Sequence, residues 1–197
     1  QMLRADFENK PTSEVLAAIL GSFNEQINRA DAAVLSDYGK GGLNHIRQMI
    51  SHAREVGVPV LIDPKGSDYS RYKGATLITP NRAELALVTG GWTSEDELRS
   101  KAQKLREELE LQALLLTRSE EGMTLYTADG ELTVPAQARE VFDVSGAGDT
   151  VIAVTAAMLA ASADLQEAVR IANRAGGIVV GKLGTASVSY SELFGDN

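Results

Sequence analysis

The chain has 197 residues, 44% of them hydrophobic and 23% charged, with 18 glycines and five prolines. This composition supports a buried core and excludes disordered and collagen-like polymers. Its 19 basic and 27 acidic residues give a formal net charge of -8 at pH 7, so a nucleic-acid backbone would be repelled. With no cysteine and two histidines, disulfides, thiolate zinc and histidine metal clusters are excluded, and any metal must be held by oxygen. No apolar run reaches the ~18 residues of a membrane span, and the opening QMLRADFENK is charged, so no membrane partner is expected. The expectation is one compact cytoplasmic domain over residues 1–197.

Helical periodicity runs first over 12–29, around Val15, Leu16, Ile19 and Leu20, and is followed by an apolar run at 32–37 (AAVLSD). A second helical segment, 43–56, carries Ile46, Met49 and Ile50. It places His45 and His52 on one face as surface or packing residues, with no acidic residue spaced to complete a metalloprotease pattern. Two more apolar runs, VPVLID (58–63) and ATLITP (75–80), precede a helix start at TPNRAE and a helix over 94–109 capped by Thr93. ALLLTR (113–118) reads as a fourth buried strand, and MTLYTADGELTVP (123–135) as a hairpin turning at Asp129-Gly130. Two alanine-rich helices follow, over 147–162 and 164–181, with a Gly-Lys-Leu-Gly-Thr loop at 181–185.

Continuous apolar strands alternating with helices define an α/β fold with a mostly parallel sheet covered on both faces. Such sheets bind ligands beyond the carboxyl ends of their strands. Asp37, Asp63, Asn81 and Thr117 fall on that edge, and the charges of Asp37 and Asp63 are expected to face a solvated crevice, because a core would penalise them.

The stretch FDVSGAGDT (142–150) carries the most chemistry. Gly146 and Gly148 let backbone N–H groups approach a ligand closely, and the N-terminus of the helix they open favours phosphate oxygens. Asp149 in the first turn could take a proton from a hydroxyl where phosphoryl charge develops. An ordinary glycine turn accounts equally well for the local pattern. Asn81 and Glu84, three apart, put an amide and a carboxylate on one helix face and suit hydrated magnesium; a helix cap explains them as readily. Lys40 and Lys65 could meet an anionic substrate or be solvated surface charges. GGIVVGK (176–182) imitates a phosphate-binding loop, but Leu183 stands where Ser or Thr should hold magnesium, and the run ends a helix. SDYGKGGLN (36–44) is a weak dinucleotide fingerprint with Asn44 at its third glycine position, which keeps NAD binding as a minor alternative.

Taken in order, SDYGKG (36–41), LIDPKG (61–66), TPNRAE (79–84), TRSEEG (117–122), DVSGAGDT (143–150) and GKLGTASVS (181–189) resemble the ribokinase-like (PfkB) carbohydrate kinases over nearly the whole chain. The resemblance implies a three-layer α/β/α fold and ATP-dependent phosphoryl transfer to a sugar hydroxyl, with Mg2+ and a K+ site. It is strongest to the branch that phosphorylates D-glycero-β-D-manno-heptose 7-phosphate in ADP-heptose and lipopolysaccharide core synthesis. Another sugar-phosphate kinase and a non-catalytic nucleotide-binding fragment are the alternatives. By motif, Asp149 resembles the catalytic base and Gly146, Ala147 and Gly148 the anion hole. Asn81, Arg82, Ala83 and Glu84 resemble the nucleotide and magnesium stretch, and Thr117 and Ser119 the phosphate-lining strand end, where glycine is more usual at the latter. Asn173 would lie near the adenine, Asp37, Lys40 and Lys65 near the sugar phosphate. Asp143, Ser145 and the 182–187 loop would hold the monovalent cation. The family's N-terminal strands and lid are expected to be missing, the lid returning at LRADFE (3–8). A nucleotidyltransferase domain following in the whole protein and a homodimer are further expectations.

Overall fold

The computed structural model describes residues 9–137 and 141–195; the segment 3–8, where the returning lid was expected, lies outside the described residues. Six strands form one sheet in chain order: β1 (Ala33–Ser36), β2 (Val60–Asp63), β3 (Leu77–Ile78), β4 (Ala113–Thr117), β5 (Met123–Thr127) and β6 (Gly130–Val134). β1 to β4 are parallel, and β5 and β6 continue the sheet as an antiparallel hairpin.

The alternation of side chains along each strand sorts the core into two layers. Val60, Ile62, Ile78, Leu114 and Leu116 face one cluster, joined by Ile46, Met49 and Ile50 of α2 (Ile46–Glu55), Leu85 of α3 (Arg82–Thr89) and Leu98 and Ala102 of α4 (Glu95–Glu108). Leu20 and Phe23 of α1 (Ser13–Gln26) pack on the same side. Leu61, Leu77, Ala113 and Leu115 face the other cluster, closed by Val151 and Ile152 of α5 (Ala147–Ala160) and Val169 and Ala172 of α6 (Leu165–Val180). The three-layer α/β/α arrangement follows directly, because a sheet apolar on both faces must be covered on both.

Two local readings are corrected, and one helix is added. The cap of α4 is Ser94, whose hydroxyl accepts from Glu97 N–H at 3.2 Å; Thr93 instead donates its N–H and hydroxyl to the Glu97 carboxylate. The carboxylate at the third helical position reaches back past the cap, so the helix starts one residue later. The hairpin turns at Ala128-Asp129, since Thr127 pairs with Gly130, which already belongs to β6 with φ +131°. A short α7 (Tyr190–Phe194), set by a Ser189/Glu192 capping box, has too few residues to show periodicity. Among the described residues, no helix is long and apolar enough to cross a membrane.

Candidate active site

The carboxyl ends of the parallel strands converge as expected. Thr117 N–H donates to Pro80 O at 3.0 Å, and Asn81 and Thr117 form an isolated parallel bridge, so the exits of β3 and β4 are tied together. At the start of α3, Asn81 Oδ1 accepts from Glu84 N–H and Glu84 Oε2 accepts from Asn81 N–H, both at 2.9 Å. The pair is therefore a capping box. Glu84 Oε1 also takes Lys65 Nζ at 2.7 Å, so Lys65, assigned above to substrate, stands paired with the carboxylate at the strand edge. That carboxylate raises the Lys65 pKa.

Asp63, half-buried at the end of β2, lies in the same electrostatic neighbourhood. Burial pushes its pKa from 3.8 up to about 6; Glu84 and Asp149 push the same way, while Lys65 and the Ser36 hydroxyl oppose them. Asp37 differs from expectation: it is 3% exposed and faces an internal network. Its Oδ1 accepts from Gly39 N–H at 2.8 Å, and its Oδ2 takes the Tyr72 hydroxyl at 2.8 Å beside Arg71 at 3.3 Å. Tyr72 Oη in turn accepts from Lys65 N–H at 3.0 Å. The burial cost that argued for a crevice is offset here by a cation and two donors, so Asp37 fixes the loops after β1 and β2. Lys40 is exposed on the first of these loops.

α5 opens at Gly146, which sits at φ +77°, a conformation L side chains rarely adopt, and no side chain caps it. The first-turn N–H groups of Gly148 and Asp149 therefore point out of the helix end. Asp149 is exposed in that turn. Beside it lies a cavity of about 420 Å³ whose wall includes Thr117, Ser119, Ala147, Gly148 and Asn173. Five residues from three separated segments thus meet around one hollow. Asn173 is buried and donates its amide to Pro135 O at 2.8 Å. Ser119 holds φ +53°, which gives a physical reason for the family's glycine at that place.

Other assigned residues stand apart. Arg82 pairs with Glu121, and Ala83 is exposed on α3; neither is part of the cavity wall. Asp143 Oδ1 accepts from Ser145 N–H at 2.9 Å, which holds its carboxyl below the usual range. Phe142 N–H donates to Val180 O, and a Cβ on Gly146 would lie 3.4 Å from Thr185, so residues 142–146 lie alongside the end of α6 and the loop after it. Asp143, Ser145 and that loop share one corner.

Sequence reasoning missed Arg71, Tyr72 and the apolar wall of the cavity, including Val141, Val144, Val151 and Val180. Nothing in their spacing marks them, since segments distant in the chain supply them. The run 176–182 ends α6, as its rejection as a phosphate loop requires; an added Cβ on Gly176 would meet Val151 Cγ2 at 3.2 Å, so that glycine serves the contact of α5 with α6. Among the described residues, no three acidic or histidine side chains gather to hold a metal. The donor set fits a divalent ion that keeps most of its water and phosphate ligands, as magnesium does.

The fold and this edge define a carbohydrate kinase architecture. Residues 10–192 match the pfkB family carbohydrate kinase model, and the chain belongs to that family. It is 52% identical over 197 residues to the D-beta-D-heptose 7-phosphate kinase of Bordetella bronchiseptica, covering all of this chain and 63% of that protein. It is 56% identical to the bifunctional protein HldE of Hahella chejuensis over 98% of this chain and 41% of that protein. The chain therefore spans about two fifths to three fifths of these relatives' lengths. Phosphofructokinase-2 from Escherichia coli in complex with potassium shares the fold at TM-score 0.78 and 21% identity, over 93% of this chain and 61% of that one. Arabidopsis thaliana ribokinase complexed with ribose and ATP matches at TM-score 0.72 and 21% identity, over 91% and 56%.

Proposed function

We propose that the chain is the nucleotide-binding and catalytic portion of an ATP-dependent kinase acting on D-glycero-β-D-manno-heptose 7-phosphate. The observation that carries this is the convergence of Thr117, Ser119, Ala147, Gly148 and Asn173 on one cavity beside Asp149. The identity to a heptose 7-phosphate kinase supports the choice of sugar.

In this scheme Asp149 takes the proton of the anomeric hydroxyl as its oxygen bonds the γ-phosphorus and the bond to ADP breaks. The N–H groups of Gly148 and Asp149 stabilise the charge on the transferring phosphoryl group, while the Ala147 N–H, assigned above to the same role, is taken by Val144 O at 3.2 Å. The cavity receives the rest of the nucleotide. Glu84, oriented by Asn81 and Lys65, and its neighbour Asp63 would hold a hydrated Mg2+, which would supply charge neutralisation at the phosphates when bound. Asp143, Ser145 and the 182–187 loop would hold a K+. Lys40 serves the sugar phosphate, and further sugar contacts come from an N-terminal segment of the whole protein, which works in the cytoplasm, with a nucleotidyltransferase domain and a homodimer as further features of that assembly.

Calorimetric titration of the 197-residue chain with MgATP, with circular dichroism confirming the fold, tests the nucleotide half. Coupled ADP release with heptose 7-phosphate in the longer protein tests the reaction. A folded chain with no MgATP binding, unrestored in the longer protein, overturns the proposal.

A further inference from the structure

The exit of β4 and the turn after it supply Thr117, Ser119, Glu120 and Gly122 to the wall of the 420 Å³ cavity, whereas Arg118, in the middle of this run, is not part of that wall. Arg118 is 8% exposed, and a cation buried to that degree persists only with partners. Its Nη1 and Nη2 donate to the two carboxylate oxygens of Glu95 at 2.9 and 2.8 Å, a bidentate pair that fixes direction as well as distance. Nε donates to Glu121 Oε2 at 3.0 Å, and Nη1 also reaches the Thr124 hydroxyl at 3.3 Å. Glu121 in turn takes Arg82 at the start of α3. Glu95 belongs to the first turn of α4, where the helix end favours a carboxylate. One guanidinium therefore ties the turn directly to α4 and, through Glu121, to α3.

The turn needs such a tie. Ser119 stands at φ +53° and Gly122 at φ +90°; glycine adopts such values freely, but an L residue loses about tenfold in population there. Arg118 N–H donates to Gly122 O at 2.8 Å and Gly122 N–H to Ser119 O at 3.0 Å, which closes the turn. The arginine holds it at both ends, at position 118 through its own backbone and at position 121 through the Glu121 carboxylate. Backbone strain persists where the surroundings over-determine it. We infer that Arg118 is a positioning residue of the nucleotide site: locked on Glu95 and Glu121, it keeps Ser119 in the left-handed conformation that forms the cavity wall. The inference rests on the nucleotide assignment made above.

Arg118→Met and Glu95→Ala, each made alone and together with Ser119→Gly, test it by calorimetry with MgATP, well below the melting temperature read by circular dichroism. With the guanidinium gone, Glu95 and Glu121, whose side chains are 60% and 45% exposed, can be solvated, so Arg118→Met should fold. It should weaken MgATP about tenfold, and Glu95→Ala by about fivefold. When Ser119→Gly is the reference, each loss should shrink to within about twofold, because glycine holds the left-handed conformation without help. A role confined to stability would lower the melting temperature in both backgrounds and show no such rescue. MgATP affinity within about twofold of wild type in both single variants would overturn the inference, as would equal losses in the two backgrounds. Should Arg118→Met lose its fold, Glu95→Ala carries the same comparison alone. Failure of the unmodified chain to bind MgATP would instead overturn the nucleotide assignment itself.

Discussion

Asp63→Asn separates the electrostatics of the strand edge from its packing. The wild-type carboxyl has its pKa raised from 3.8 to about 6, first by burial and then by Glu84 and Asp149. A group whose folded pKa lies above its unfolded value binds its proton more tightly in the folded state, so ionising it opposes folding. The cost is absent below about pH 4, grows between pH 4 and 6, and is complete above that; 1.36 kcal/mol per pKa unit sets an upper bound of about 3 kcal/mol, which solvent screening of this half-buried group reduces to about 2 kcal/mol. Asparagine keeps the shape and an oxygen for the Ser36 hydroxyl, 3.5 Å away in the wild type. Its own partly unmet amide returns about 1 kcal/mol of the gain. The variant should therefore be more stable than wild type by about 1 kcal/mol at pH 7.5, or ~2–4 °C in melting temperature for a chain of this size. The advantage should fade as pH falls toward 4. Thermal unfolding followed by circular dichroism from pH 4.5 to 8 measures the difference between the two chains directly, so acid effects common to both cancel. A difference that does not change with pH, or a variant less stable at pH 7.5, would refute the placement of an ionised, desolvated carboxylate at the end of β2.

Asp149→Asn should lower turnover of the longer protein by about 10²–10⁴-fold while leaving MgATP affinity from calorimetry within a few-fold of wild type. Asp37→Ala should destabilise the chain by about 3 kcal/mol in denaturant melts, because it strips a buried carboxylate from Arg71 and Tyr72; unchanged stability with weaker sugar binding would restore its substrate role. Gly122→Ala should cost more than ~3 kcal/mol, since φ is +90° and the new Cβ would lie 2.1 Å from Val134 O. A melting temperature equal to wild type would contradict the geometry of the turn after Ser119.

The layers of this fold were legible because its strands are continuous apolar runs and its helices are periodic, two signals that survive without tertiary context. The glycine opening of α5 was legible for a related reason: glycine is favoured at the φ +77° of Gly146, and with no side chain it leaves the helix end uncapped. What stayed hidden depends on side chains meeting across the sheet edge. Asp37 looks like a crevice residue until Arg71 and Tyr72, more than thirty positions on, are seen to satisfy it. Lys65 looks like a free cation until Glu84 meets it. The turn at Ala128-Asp129 and the cap at Ser94 each missed by one residue, because turn and cap residues recur in neighbouring positions and register decides between them.

Two accounts of Glu84 that looked like rivals in the sequence are compatible in the structure. A capping box needs one oxygen of the carboxylate for the Asn81 N–H, and the ion pair needs the other for Lys65, yet each oxygen keeps a further lone pair. The cap holds the carboxylate at the helix start, and Lys65 restrains it from the loop after β2, so its orientation is set before any ligand arrives. With the Glu84 side chain only 14% exposed, little rotamer freedom remains to be lost on meeting a hydrated cation. Local capping is then the means by which the chain positions this carboxylate at the strand edge. Gln at position 84 would preserve the helix cap and lose the charge, so Glu84→Gln should leave the melting temperature within ~2 °C of wild type while shifting the Mg2+ dependence of nucleotide binding to higher concentration. A variant that melts far lower with unaltered Mg2+ dependence would show that the residue serves the helix alone.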